Sequence, residues 1–404
     1  MIYNEKWPLK KLNECCEYIS RGKQPKYVEF SEVKTLNQKA IQWGIIDKKA
    51  LKYHNSEITV AKKHFILKDD IVLNSTGTGT VGRCYYFSEK PTENFFADSH
   101  VTIIRTKKDV LLPAFLYYQL STTHYQELIY SSFLAGSTGQ VELNKSKVQE
   151  FPVYTPDVTI QEKIVNILKV LDEKIKNNTK SIATLEQLSQ TIFKQWFIDF
   201  EFPNEKGKPY KSSGGEMVES ELGKIPKNWV VEKFNNILRI SSGKRPKVKV
   251  ENYSIEHPIP IIGASKIMGY TSEILYDSPI LVIGRVGTHG IVQKIFDSCW
   301  PSDNTLVIQS QFYNFVYEFL NVIDYKSLNR GSTQPLITQT DIKNQQFAFP
   351  KDLTIVERFE NILTPLLEKQ FVLLKEIKKL KNLRDNLLPK LLSGEIEIND
   401  DLEV

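Results

Sequence analysis

Cysteine and histidine are scarce in this chain of 404 residues, with four of the first and six of the second. Cys15, Cys16, Cys84 and Cys299 form no CxxC pair, and no histidine stands where it could complete a zinc site. Neither a disulfide framework nor a metal site is expected, and buried, reduced thiols in a cytoplasmic protein are the plain reading. Long apolar runs are missing as well. No stretch reaches about 18 apolar residues, so no membrane span is expected. Met1-Ile2-Tyr3-Asn4-Glu5-Lys6 lacks a basic-then-apolar signal pattern. There is no Asn/Asp-Pro-Pro-Tyr/Phe element, no intact Walker A and no G-x-S-x-G, which removes the commonest routes to methyl transfer, nucleotide hydrolysis and serine catalysis. What remains is 41% apolar and 25% charged residues, a composition of roughly two to four globular domains. The net charge of +5 permits a polyanionic partner without requiring one.

The chain is written twice. Trp7 and Trp229 each open a short amphipathic stretch, and Gly22-Lys23-Gln24-Pro25-Lys26 then matches Gly243-Lys244-Arg245-Pro246-Lys247. A second loop follows, Gly79-Thr80-Val81-Gly82 against Gly287-Thr288-His289-Gly290. Asp98 and Asp303 come next, each before alternating apolar residues, Val101-Thr102-Ile103-Ile104 and Leu306-Val307-Ile308. The third loop is Gly136-Ser137-Thr138-Gly139-Gln140 against Gly331-Ser332-Thr333-Gln334. The helical segments from Thr159 and Thr354 then align at one constant offset. So many blocks in one order indicate duplication.

Each copy begins with a glycine-punctuated part rich in Val, Ile, Tyr and Phe, which reads as strands and loops. Each ends in a glycine-free part with heptad spacing: Ile164, Leu171, Asn178, Leu185 and Ile192, then Phe359, Leu366, Leu373, Leu380 and Leu387. That spacing predicts coiled-coil helices, with Asn178 as a register-setting polar residue. Pro365 is expected to kink or interrupt the second helix and Pro389 to end it. Residues 201–226 have the Pro, Gly and Ser content of a linker. The boundaries read from this are a first module at 1–156, a central helix at 157–200, the linker, a second module at 227–350, a C-terminal helix at 351–393 and an acidic tail at 394–404.

Two motifs are decoys. Gly77-Thr78-Gly79-Thr80-Val81-Gly82 spells a dinucleotide fingerprint, but a nucleotide loop must open a helix, and Arg83-Cys84-Tyr85-Tyr86-Phe87 reads as a strand. Pro156-Asp157 with Asp172-Glu173-Lys174 fits a nuclease pattern whose second half lies in the heptad helix, where those charges are most simply a solvated face. Asp98 and Asp303 could be paired catalytic carboxylates; acids that open a strand and bond backbone amides are the simpler reading. The loops themselves offer donors for phosphates and base edges. In the first copy these are Lys23, Lys26, Thr78, Thr80, Arg83, Ser137, Thr138 and Gln140. In the second they are Lys244, Arg245, Lys247, Arg285, Thr288, His289, Arg330, Ser332, Thr333 and Gln334. Ordinary hairpin turns with solvated charges are the competing account, weakened because three such loops recur in both copies. No catalytic and no metal-binding residue is assigned.

Lys224-Ile225-Pro226-Lys227-Asn228-Trp229, the ending Leu387-Leu388-Pro389-Lys390-Leu391-Leu392-Ser393-Gly394-Glu395-Ile396 and the loop Gly331-Ser332-Thr333-Gln334-Pro335 resemble the specificity subunits of type I restriction–modification systems. The resemblance implies an α+β protein with two pseudo-symmetric α/β target-recognition domains joined by two long antiparallel coiled-coil helices. It implies a non-catalytic subunit that reads an asymmetric bipartite site on double-stranded DNA, one half-site per domain, with the helices setting the spacer. Two methyltransferase subunits and restriction/translocase subunits are the implied protein partners. S-adenosylmethionine, ATP and magnesium are expected on those partners, with no cofactor on this chain. The alternative is a coiled-coil scaffold joining two protein-binding modules.

Overall fold

A computed structural model describes residues 7–134, 142–285, 290–325, 327–328 and 336–396. The chain divides into two compact units. The first holds the chain as far as Asn177 and takes it up again from Glu376; the second is Asn178–Lys375.

The first unit is built on an antiparallel sheet in the order Cys16–Arg21, Val101–Thr106, Ile71–Asn74, Cys84–Tyr86. Its centre is almost purely apolar because both faces are covered. Ile71 and Leu73 enter one buried cluster with Leu12, Phe115 and Phe151, while Val72, one residue out of phase, enters another with Leu36, Phe95 and Ile103. Burying each such side chain contributes about 1.5–3 kcal/mol. A second sheet runs Phe95–Ala97, Lys34–Leu36, Lys52–His54, Tyr27–Val28, its first pair parallel. Leu9–Lys11 pairs with Pro152–Tyr154 to close the module.

The second unit repeats this plan. Arg239–Ser242, Thr305–Gln309, Ile280–Gly284 and Val292–Ile295 form the antiparallel sheet. Leu281 and Ile283 face one cluster, and Ile280 and Val282 face the other. Trp300–Pro301 lies parallel to Ile259–Ile262, which pairs with Ile267–Thr271; Val250 bridges to Tyr270 where the first unit has its fourth strand. Trp229–Lys233 pairs with Gln346–Pro350. The strand-level correspondence is complete enough to align the copies by hydrogen bonds, independently of their letters.

The long helices are Val158–Phe193, followed by a π-helical turn at Lys194–Ile198, and Thr354–Leu392. The second runs through Pro365 and past Pro389, contrary to the expected interruption and stop. Pro365 stands on an exposed side of the helix next to exposed Thr364 and Asn361, so the carbonyl left without a donor can be hydrated. Ser393 N–H bonds Pro389 O at 2.9 Å and so continues the last turn. In the first unit Asp172 accepts from Arg384 Nη1 at 2.9 Å and Tyr118 OH at 2.8 Å, and Lys174 faces Glu376 at 3.4 Å. In the second, Lys294 Nζ bonds Glu186 at 2.7 Å and Gln370 at 3.0 Å, while Tyr317 OH donates to Glu186 at 2.6 Å. Asn178, the polar seam residue, is buried.

The stretch 201–226, a linker by composition, is folded. Phe202 stacks between Tyr210 and Trp229 at 4.7 and 5.2 Å. Met217–Ser220 then pairs with Gly223–Pro226 in a hairpin. Phe200, at φ 60°, takes the left-handed position that ends the preceding helix, and Glu201 N–H reaches back to Gln195 O at 2.7 Å.

Candidate nucleic-acid interface

The first basic loop is anchored in the same way in each unit. Gly22 N–H bonds Val101 O at 2.9 Å and Lys23 N–H bonds Ala97 O at 3.0 Å; Gly243 N–H bonds Thr305 O at 3.0 Å and Lys244 N–H bonds Pro301 O at 2.9 Å. A Cβ at Gly22 would be driven into the carbonyls of Ala97 and Asp98, and one at Gly243 into those of Ser302 and Pro301. Backbone this close admits only glycine. Buried His54 fixes the far end of the first loop: its Nδ1 accepts from Lys26 N–H at 2.9 Å, which leaves Nε2 to donate to Ile58 O at 3.1 Å. In the second unit Trp300 Nε1 donates to Lys244 O at 2.7 Å. Lys23, Lys26, Lys244, Arg245 and Lys247 are all exposed.

The second loop joins strand to strand, as its letters indicate. Gly77, Gly79 and Gly82 have φ of 97°, 76° and 84°, which L side chains rarely adopt. Thr78 is exposed. Thr80 Oγ1 donates to Thr76 O at 3.0 Å, and Arg83 donates to Gln42 Oε1 at 2.6 Å and Gly79 O at 2.8 Å, so both side chains brace the loop itself. In the second unit Arg285 opens the corresponding loop, half-buried, with its Nε buried and unpartnered among the described residues. Thr288 and His289 lie outside the described residues, as do Ser137, Thr138, Gln140, Arg330, Ser332, Thr333 and Gln334 of the other loops.

The ends of the third loop are described, and they bring the three loops together. In the first unit Leu143 N–H bonds Ser75 O at 2.7 Å beside the second loop, and Arg21, which precedes Gly22, pairs with Glu142 at 2.5 Å. In the second unit Ile337 N–H bonds Arg285 O at 3.0 Å, and Gln339 Nε2 donates to Ser242, which precedes Gly243, at 3.1 Å. One edge of each module therefore gathers the described ends of all three loops. Arg21, His54, Glu142, Trp300 and Gln339 are positioning residues that no local sequence signal picks out, because each acts on a loop remote in the chain.

One sequence pairing is corrected. Asp98 is buried, its carboxyl pushed up by desolvation, and it accepts from His100 N–H at 2.7 Å. Its N–H bonds Leu36 O at 3.0 Å, as Ser302 N–H bonds Ile262 O at 2.9 Å. Ser302, not exposed Asp303, is thus the counterpart of Asp98, and no matched pair of carboxylates exists at this position. Burial also raises the thiols of Cys16, Cys84 and Cys299 to about 12, so these buried, free cysteines are poor nucleophiles. Among the described residues no group of three or more His, Cys, Asp or Glu could hold a metal ion, and no helix is long and apolar enough to cross a membrane.

A duplicated module that presents a basic, glycine-built edge suits a polyanionic partner. Comparison with known proteins narrows the class. The family model for the type I restriction modification DNA specificity domain matches residues 4–187 and 226–381, once per copy. The chain belongs to this family of specificity subunits, whose work is target recognition on DNA. It is 28% identical over 323 residues to the MjaIX type I restriction enzyme specificity subunit of Methanocaldococcus jannaschii, covering 72% of this chain and 71% of that one. It is 25% identical over 416 residues to the HindI specificity subunit of Haemophilus influenzae, covering 83% and 88%. The fold is similar to that of the S subunit of a type I restriction–modification system from M. genitalium, with a TM-score of 0.59, 16% identity and 96% of each chain covered.

Proposed function

We propose that this chain reads an asymmetric, bipartite site on double-stranded DNA, with each module contacting one half-site through its three-loop edge. The observation that carries the reading is the recurrence of that edge with different side chains. The same backbone bonds hold Lys23 and Lys244, while Ser75 of the first copy stands where the second copy has Arg285, each accepting from the end of the third loop. Duplex DNA has local two-fold axes, so pseudo-symmetric modules place like surfaces on two half-sites, and unlike side chains make the half-sites differ. The contacts of Asp172 with Arg384 and of Glu186 and Gln370 with Lys294 fit long helices that run antiparallel as a coiled coil and set the spacer.

The subunit is non-catalytic on this reading. Exposed helix faces dock two methyltransferase subunits, restriction/translocase subunits complete the assembly, and S-adenosylmethionine, ATP and magnesium sit on those partners in the cytoplasm. The test is to map methylated adenines in a genome with and without this chain, its partner subunits present in both. A two-part motif with a fixed gap should vanish when the chain is removed. Identical methylation maps would overturn the reading.

A further inference from the structure

Each module exposes one aromatic ring more than any other it holds among the described residues. Phe30 is 78% exposed and Tyr253 is 62% exposed, and both follow directly on the first basic loop. A lone exposed aromatic needs no explanation. These two are not alone, because each leans on a tyrosine of the neighbouring strand, Phe30 on Tyr53 with ring centroids 5.1 Å apart and Tyr253 on Tyr270 at 5.8 Å. Those strand tyrosines are themselves equivalent: Tyr53 is the cross-strand partner of Val28, and Tyr270 is bridged to Val250. Two sequences that differ at most loop positions each carry an exposed ring propped on an equivalent tyrosine, two residues beyond Val28 in one module and three beyond Val250 in the other.

We propose that Phe30 and Tyr253 are specificity-determining residues that press an aromatic face against the bases of the DNA, each within its own half-site. The assignment deepens the bipartite reading above and rests on it. DNA is the occupant because the ring-bearing segments follow the basic loops in the chain and, in the first module, hold cations among their aromatics. Lys52 Nζ lies 4.7 Å over the ring of neighbouring Tyr27, and Lys34 Nζ lies 5.6 Å from that of Tyr53, the mixture of aromatic and cationic groups that base stacking uses. Glu29 and Glu251 share the same segments, so the segments are not phosphate clamps. What they offer is a ring, either as a wedge at a base step or as an apolar face for a thymine methyl.

The experiment uses the complete complex with its methyltransferase subunits and a duplex carrying the methylation site that the chain specifies. Phe30→Ala and Tyr253→Ala are titrated against that duplex and against duplexes altered in one half-site or the other. Each variant should bind the intact site about tenfold or more weakly, the range that loss of one aromatic–base contact produces. Phe30→Ala should lose its further sensitivity to base changes in one half-site, and Tyr253→Ala in the other. The slope of affinity against salt should stay that of the wild type, since no phosphate contact is removed.

Wild-type affinity in both variants would overturn the assignment and leave the bipartite reading standing. Uniform weakening on every duplex with a shallower salt slope would overturn it in favour of backbone contact. Loss of methyltransferase subunits from the DNA-free complex would overturn it in favour of protein docking. Failure of the unaltered complex to prefer any two-part duplex would overturn both readings.

Discussion

Gly22 and Gly243 occupy places where the chain passes against the carbonyls of the strand entry opposite, and the lysine loops depend on that approach. Gly22→Ala sets a methyl group against backbone, which yields far less readily than a flexible side chain. A loss of about 2–4 kcal/mol is expected in urea unfolding, together with weakened recognition of one half-site only. Gly79 has open space around its Cβ position but φ of 76°, so Gly79→Ala should cost only about 1–2 kcal/mol. Equal stability of Gly22→Ala and wild type would refute the close approach. At this scale the letters were informative about glycine and misleading about charge. The Gly-Lys-x-Pro-Lys match located the anchored turn, because glycine is the only residue that fits it. Asp98 and Asp303 matched as letters, yet the hydrogen bonds pair Asp98 with Ser302; one residue of drift in a loop is invisible until the backbone partners are known. Arg83 looked free for DNA and instead closes its own loop through Gln42, a residue about forty positions earlier.

The elements were more legible than the contacts among them. Alternating and continuous apolar runs located the central strands because both faces of each sheet are buried, and heptad spacing located both long helices. Proline misled, since Pro365 costs a helix one hydrogen bond but cannot break it when the freed carbonyl meets water and the apolar seam continues on both sides. The node joining helix to sheet in the second unit had no sequence signature. Buried Glu318, on the helix Tyr313–Val322, is raised to about 8 by desolvation first and then by the Glu186 carboxylate, with Lys294 acting the other way. Two carboxylates beside one lysine leave one of them favoured as the acid. In the unfolded chain Glu318 ionises near 4.5, so its place in the fold is comfortable in acid, and stability is lost as pH rises from about 4.5 to about 8. Glu318→Gln keeps the shape and removes the ionisation. The variant should match wild type near pH 5 and exceed it at pH 9 by on the order of 3 kcal/mol in urea unfolding. A wild-type stability that stays flat across that window would show that Glu318 is not held as the acid.

Duplication was the most legible property of the whole molecule, because it rests on the order of many weak matches rather than on any one of them; the folded stretch 201–226 was the least, because Phe202 owes its place to Tyr210 and Trp229 rather than to its neighbours' composition. The proposed spacing role of the helices makes the last prediction. The same number of residues separates Asp172 from Glu186 on the first helix as separates Gln370 from Arg384 on the second, which on the proposed antiparallel reading keeps the two polar nodes in step. Shortening one helix alone would set those nodes out of step, and the matched change is therefore to remove one turn, about four residues, from each between its nodes. That withdraws about 6 Å of helix, against a rise of about 3.4 Å for each base pair. The gap in the methylated motif should shorten by about one or two base pairs while the bases read at both ends stay the same, because neither loop edge is touched. Methylation mapping of a strain carrying the doubly shortened chain reads both quantities at once. An unchanged gap would mean that the spacer is set by the modules or by the partner subunits; a changed half-site with the old gap would mean that the helices position the loops within a module rather than the modules along the duplex.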